Sequence, residues 1–151
     1  MKRSIFLAAV FVTTLLLSCS VESSAQMKKG AVVWPAADIK WAEMKGGPPG
    51  IMYANLWGAI DKGMYGTLVK LPAGMTDALH THSSDTKLVI LSGTFLYTPE
   101  GGTEQQLGPG SYLMVPKGVR HTSGVSADGP CEVFQEGTGK FDFVPAEAKE
   151  K

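Results

Sequence analysis

The chain has 151 residues, 14 of them basic and 14 acidic, so its formal net charge is zero and its length sets one domain. Hydrophobic residues make up 44% and charged residues 19%, which excludes a disordered chain, and the balanced charge argues against a nucleic-acid-binding surface. The 18 glycines and 9 prolines suit a turn-rich β architecture better than a helical bundle.

Lys2 and Arg3 precede an uncharged, mostly apolar run from Ser4 to Leu17. That run is short for a permanent membrane helix and suits the core of a secretory signal. Residues 1–19 are therefore predicted to be a signal peptide, with two cleavage readings open. Leu16-Leu17-Ser18-Cys19 resembles a bacterial lipobox, in which Cys19 is lipidated and becomes the new N-terminus. Ser23 and Ala25 instead suit an ordinary signal-peptidase site, with cleavage after Ala25. Both readings predict an exported bacterial protein in the periplasm, touching a membrane only through a lipid on Cys19. Residues 20–30 read as a tether and residues 31–151 as the folded domain. With Cys19 lipidated or removed, Cys131 is the remaining cysteine, so no internal disulfide is predicted. Cys131 reads as a small buried hydrophobe.

Trp34, Trp41, Trp57 and Tyr53 precede or open the main strands and read as large apolar plugs closing the end of a barrel, with Tyr53 or Trp57 lining a pocket as the alternative. Apolar runs of four to eight residues then recur between Gly and Pro breaks. Predicted strands cover 52–60, 65–71, 79–82, 87–97, 111–115, 121–125, 131–136 and 141–144. Many short strands at this spacing mean a sandwich or barrel. Leu88-Val89-Ile90-Leu91 is apolar on both parities, which predicts a strand covered on both faces. Gly137-Thr138-Gly139-Lys140 lacks the spacing of a phosphate loop, and the chain has no Gly-x-Ser-x-Gly elbow.

The three histidines are His80, His82 and His121. His80 and His82 flank Thr81 in a predicted strand, so their imidazoles point to one face with Cα atoms about 7 Å apart. His121 follows the turn Pro116-Lys117-Gly118, whose preset and permissive dihedrals can aim a side chain inward. Neutral imidazole suits zinc, iron, copper and nickel, and three such ligands leave a position open for water or substrate.

Gly74, followed after five residues by His80-Thr81-His82 and ending at Gly93, resembles the first motif of the cupins. Gly110, followed after five residues by Pro116-Lys117-Gly118 and then His121, resembles their second motif. The wording around His80 is most similar to the exported ChrR-type cupins. The resemblance implies a single jelly-roll β-barrel, with one divalent transition metal (Fe, Zn, Mn, Ni or Cu) on His80, His82 and His121. It also implies a small-molecule ligand and a homodimer paired through sheet edges.

Two positions depart from the cupin pattern. The usual glutamate, four residues after His82, is Thr86, and the usual asparagine, four after His121, is Val125. Three neutral imidazoles leave a divalent ion its full charge, which favours an anionic or chelating ligand. Asp85 is a candidate substitute ligand, although strand parity turns it away from His82. Gln135 and Glu136 are candidates to reach the pocket from a later strand. The expected function is a metal-dependent, dioxygenase-like or related enzyme on a small organic acid or diketone; the alternative is a non-catalytic sensing module. A third reading is a metal-poor barrel with the histidines as polar walls.

Overall fold

The computed structural model describes residues 30–147. The chain divides after Val32 into a short leading unit and the unit that starts at Val33. Gly30 to Val32 are exposed and without regular structure. The predicted signal peptide, both cleavage sites and the tether before Gly30 lie outside the described residues.

The second unit opens with a 3-10 turn, Ala36–Asp38. The strands are β1 (Ala42–Glu43), β2 (Met52–Gly58), β3 (Tyr65–Leu71), β4 (His80–Thr81), β5 (Thr86–Ser92) and β6 (Phe95–Pro99). They continue as β7 (Gln105–Leu107), β8 (Tyr112–Val115), β9 (His121–Val125), β10 (Cys131–Gly137) and β11 (Val144–Pro145). A six-stranded sheet runs β1-β2-β3-β10-β5-β8 and a five-stranded sheet β11-β4-β9-β6-β7, with antiparallel pairing throughout. The all-β jelly-roll class expected from the sequence is thus the observed one.

Period-two burial builds the core. In β10, Cys131, Val133, Gln135 and Gly137 are buried while Glu132, Phe134 and Glu136 between them are not. Val69, Leu71, Leu88 and Ile90 from the larger sheet meet Phe95 and Val125 from the smaller one, with Cys131 and Val133 among them. Cys131 is the buried free thiol that was expected. The inward residues turn polar toward one end of the larger sheet. Gln135 registers with Thr67 on β3, and Gly137 with Tyr65 and Thr86. His121 stands at the matching end of β9, and Val125 at the apolar end opposite Phe95.

Several expectations need correction. The predicted strand 87–97 is two strands in different sheets, β5 and β6, because the chain turns at Gly93 with φ +74°. Leu88-Val89-Ile90-Leu91 is covered on one face only: Leu88 and Ile90 are buried, and Leu91 is exposed. Strand β7 was not foreseen, since its Gln105 and Gln106 are exposed on an edge and carry no apolar alternation. Residues 141–143 are not strand, and pairing begins only at Val144. The tryptophans do not plug the barrel. Trp34 and Trp57 are exposed. Trp34 donates its indole N–H to the Leu56 carbonyl. Trp41 is half-buried beneath the Lys70 ammonium, which lies 3.9 Å from its ring centroid. Tyr53 alone of the four packs against the core.

Candidate metal centre

The backbone of the first histidine motif locks onto the turn that precedes His121 in the second. The Gly118 N–H donates to the His82 carbonyl at 2.9 Å, and the Val119 N–H closes the turn onto Pro116. Gly118 has φ +75°, a conformation glycine adopts without strain. Asp85 braces the same turn: its Oδ1 accepts from the Lys117 N–H at 2.9 Å. Asp85 therefore serves as a structural carboxylate outside the histidine cluster; it lies in the loop between β4 and β5, where the strand parity of the sequence reading does not apply. His80 on β4 then registers directly with His121 on β9.

The three histidines are buried, and each offers a ring nitrogen within 4.8 Å of those of the other two. Each Nδ1 faces a backbone carbonyl: His80 that of Ala78 at 2.8 Å, His82 that of Asp142 at 2.6 Å, and His121 that of Val119 at 3.0 Å. A carbonyl only accepts, so each Nδ1 carries the proton and each Nε2 keeps its lone pair. This is the arrangement that orients an imidazole for a metal and raises its basicity. Burial pushes all three histidines below their ordinary value; the carbonyl bonds and the charge of Asp77 act against that push without overcoming it. They are neutral and able to ligate near neutral pH, so the donor set fits a divalent transition metal.

Residues 141–143 lie over this cluster. Phe143 stacks on His80 at 4.2 Å and an interplanar angle of 21°. Phe141 sits 5.0 Å from the His82 ring. Asp142 gives His82 its backbone acceptor, and its Oδ1 accepts from the Ser83 N–H at 2.8 Å. The sequence reading missed this role, because nothing in Phe141-Asp142-Phe143 marks a partner some sixty residues away.

The cluster opens on a cavity of about 780 Å³ between the sheets. Thr86 and Gln135 line it, so Gln135 does reach the pocket. Glu136 does not; it faces outward and pairs with Lys87 at 2.9 Å. The Gln135 amide donates to the Tyr65 hydroxyl at 2.6 Å. Burial raises Tyr65 to about 12, so that corner is neutral at any ordinary pH. Where cupins usually set a glutamate, this cavity has a hydroxyl backed by an amide and a phenol.

Residues 22–144 match the model of a family described as a domain of unknown function, DUF4437. The chain belongs to that family. No curated protein matches this DUF4437 member. Among solved structures it is similar to the DMSP lyase DddQ from Ruegeria pomeroyi DSS-3 (22% identity, TM-score 0.58), with 76% of this chain covered. It spans only 64% of that lyase chain. It is similar to an RmlC-like cupin protein from Ralstonia eutropha JMP134 (21% identity, TM-score 0.62), covering 81% of this chain and 76% of that one. It is also similar to the polyketide cyclase RemF from Streptomyces resistomycificus (17% identity, TM-score 0.61), covering 83% and 89%. These likenesses establish the cupin fold.

Proposed function

We propose that this DUF4437 member is an exported, metal-dependent cupin enzyme acting on a small chelating organic acid or diketone. One observation carries the reading: three buried imidazoles, each tied to a backbone carbonyl through Nδ1, bring ring nitrogens within 4.8 Å of one another at the wall of a roomy cavity. His80, His82 and His121 would hold Fe, Zn, Mn, Ni or Cu. A metal there supplies Lewis-acid activation of a chelating ligand and, for iron, a route to dioxygen.

The chain's own residues set the rest. The three ligands bring no negative charge, so the ligand's oxygens supply it. Thr86 and Gln135 offer neutral polar contacts, and the apolar side chains of the core exclude water from the ligand's body. Two fold relatives are named as enzymes, a DMSP lyase and a polyketide cyclase, which supports a small organic substrate. The ChrR-type wording around His80 supports the metal site without choosing between catalysis and sensing. Export and pairing into a homodimer belong to the same reading. The mass of the mature N-terminus tests the first and sedimentation the second.

The decisive experiment is metal analysis of untagged protein, followed by oxygen uptake and substrate loss with a panel of β-dicarbonyl and hydroxy acids. One equivalent of metal with turnover is the expected result. Metal with ligand binding but no turnover converts the reading to a sensing module. Absence of metal from native and reconstituted protein overturns it.

A further inference from the structure

Besides the histidines, the cavity wall carries a carboxylate that the cupin motifs do not account for. Residues 75–77 run antiparallel beside β9: the Asp77 N–H donates to the Ser123 carbonyl at 2.8 Å, and the Val125 N–H to the Met75 carbonyl at 2.9 Å. The approach is close because position 124 is glycine; a Cβ there would stand 2.8 Å from the Met75 carbonyl oxygen. This pairing sets the Asp77 side chain on the cavity wall, where Ser123 donates its hydroxyl to Oδ2 at 2.9 Å. Asp77 Oδ1 takes no hydrogen bond among the described residues.

The other carboxylates on the wall are placed differently. Glu43 and Asp61 are exposed. Asp142 is spent on the Ser83 N–H and, of the three histidines, acts on His82 alone. Asp77 is half-buried, and its charge is felt by His80, His82 and His121 alike. It stands outside the three-histidine cluster, so it is not a ligand. A carboxylate on the cavity wall, fixed by one oxygen and with the other free of hydrogen bonds among the described residues, is the arrangement a proton acceptor needs.

We infer that Asp77 is the acid–base residue of the site, accepting a proton from a chelating ligand as that ligand binds. This rests on the metal-site reading above. For a β-diketone, the C–H bond between the carbonyls breaks. Its electron pair stays on the ligand as the enolate, spread over both oxygens. The proton forms an O–H bond on Asp77 and returns to the ligand or to water on release. Asp77 thereby supplies the negative-to-neutral partner that Thr86, standing at the usual glutamate position, cannot.

The test uses the cobalt(II)-loaded full chain and acetylacetone, with cobalt affinity titrated and enolate absorbance followed in a stopped flow. Wild-type protein should form the enolate. Asp77→Asn should lower cobalt affinity by about tenfold. At saturating cobalt it should slow enolate formation by about 100-fold. Asn keeps an acceptor for Ser123, so the fold should survive; Asp77→Glu should restore part of the rate, and Ser123→Ala should slow it. Equal rates in wild type and Asp77→Asn overturn the role of Asp77 alone, as does cobalt-loaded wild type that forms no enolate. Wild type that binds no cobalt overturns the metal reading and this role with it.

Discussion

His80 and His121 are register partners across β4 and β9, and their ring centroids lie 4.2 Å apart. Two chain segments some forty residues apart thus meet in one cluster, the first bringing His80 and His82 and the second His121. Either ligand removed leaves two imidazoles, and a two-ligand site loses its grip. His80→Ala and His121→Ala should each lower affinity for zinc or cobalt by at least about 100-fold. Chelator competition measures it. A cobalt spectrum unchanged in the double variant would place the ion elsewhere.

The cover formed by residues 141–143 makes a second prediction. His82 takes its orientation from the Asp142 carbonyl, and Phe143 stacks on His80. A chain truncated after Lys140 should keep the strand signature of the two sheets, because the strands before it carry the core. Its metal affinity should fall by about 10- to 100-fold, the usual loss when a ligand's orienting partner goes. Phe143→Ala, which leaves the carbonyl in place, should lose less. Circular dichroism and metal titration together separate loss of the fold from loss of the tether.

The recurrence of short apolar runs between Gly and Pro breaks made most strands legible in the sequence, and the His-Thr-His spacing made the shared face of His80 and His82 legible too. What escaped were features set by contact between distant segments. Whether 87–97 was one strand or two depended on how closely Gly93 backs onto Pro130, which no local pattern shows. β7 exists because β6 offers it an edge, and its own residues have no apolar rhythm. The indole rings of Trp34 and Trp57 looked like barrel plugs by size alone, yet both lie exposed. Asp142 reaches the site through bonds to His82 and Ser83, and Asp77 through pairing beside β9, neither of which strand periodicity encodes.

Acid should destabilise the metal-free protein through the same histidines. All three have folded values below the ordinary one, so the unfolded chain takes up protons first as the pH falls. Stability is therefore full above about 6.5 and declines below it, levelling only beneath the lowered folded values. The slope can reach about 1.4 kcal/mol per pH unit for each histidine. Thermal melts of metal-free protein from pH 8 to pH 5 measure it. Replacing the three histidines by glutamine should flatten the curve over that window. Bound metal should deepen the loss, since a protonated imidazole cannot ligate.

Gly93 offers a test of how the two sheets are joined. It has φ +74°, and a Cβ there would stand 2.2 Å from the Pro130 carbonyl oxygen and 2.8 Å from Cys131 Cα. Gly101 has nearly the same φ, +73°, with nothing within 4 Å of its Cβ position. The left-handed backbone alone costs a side chain about 1–2 kcal/mol, and Gly101→Ala should cost that much. Gly93→Ala should cost about 2 kcal/mol more, because backbone on β10 must move to admit the methyl. Urea melts of the two variants give the difference directly. Equal losses would mean that the crossing from β5 to β6 has slack, and that the close seat of Gly93 on β10 does not hold the sheets in place.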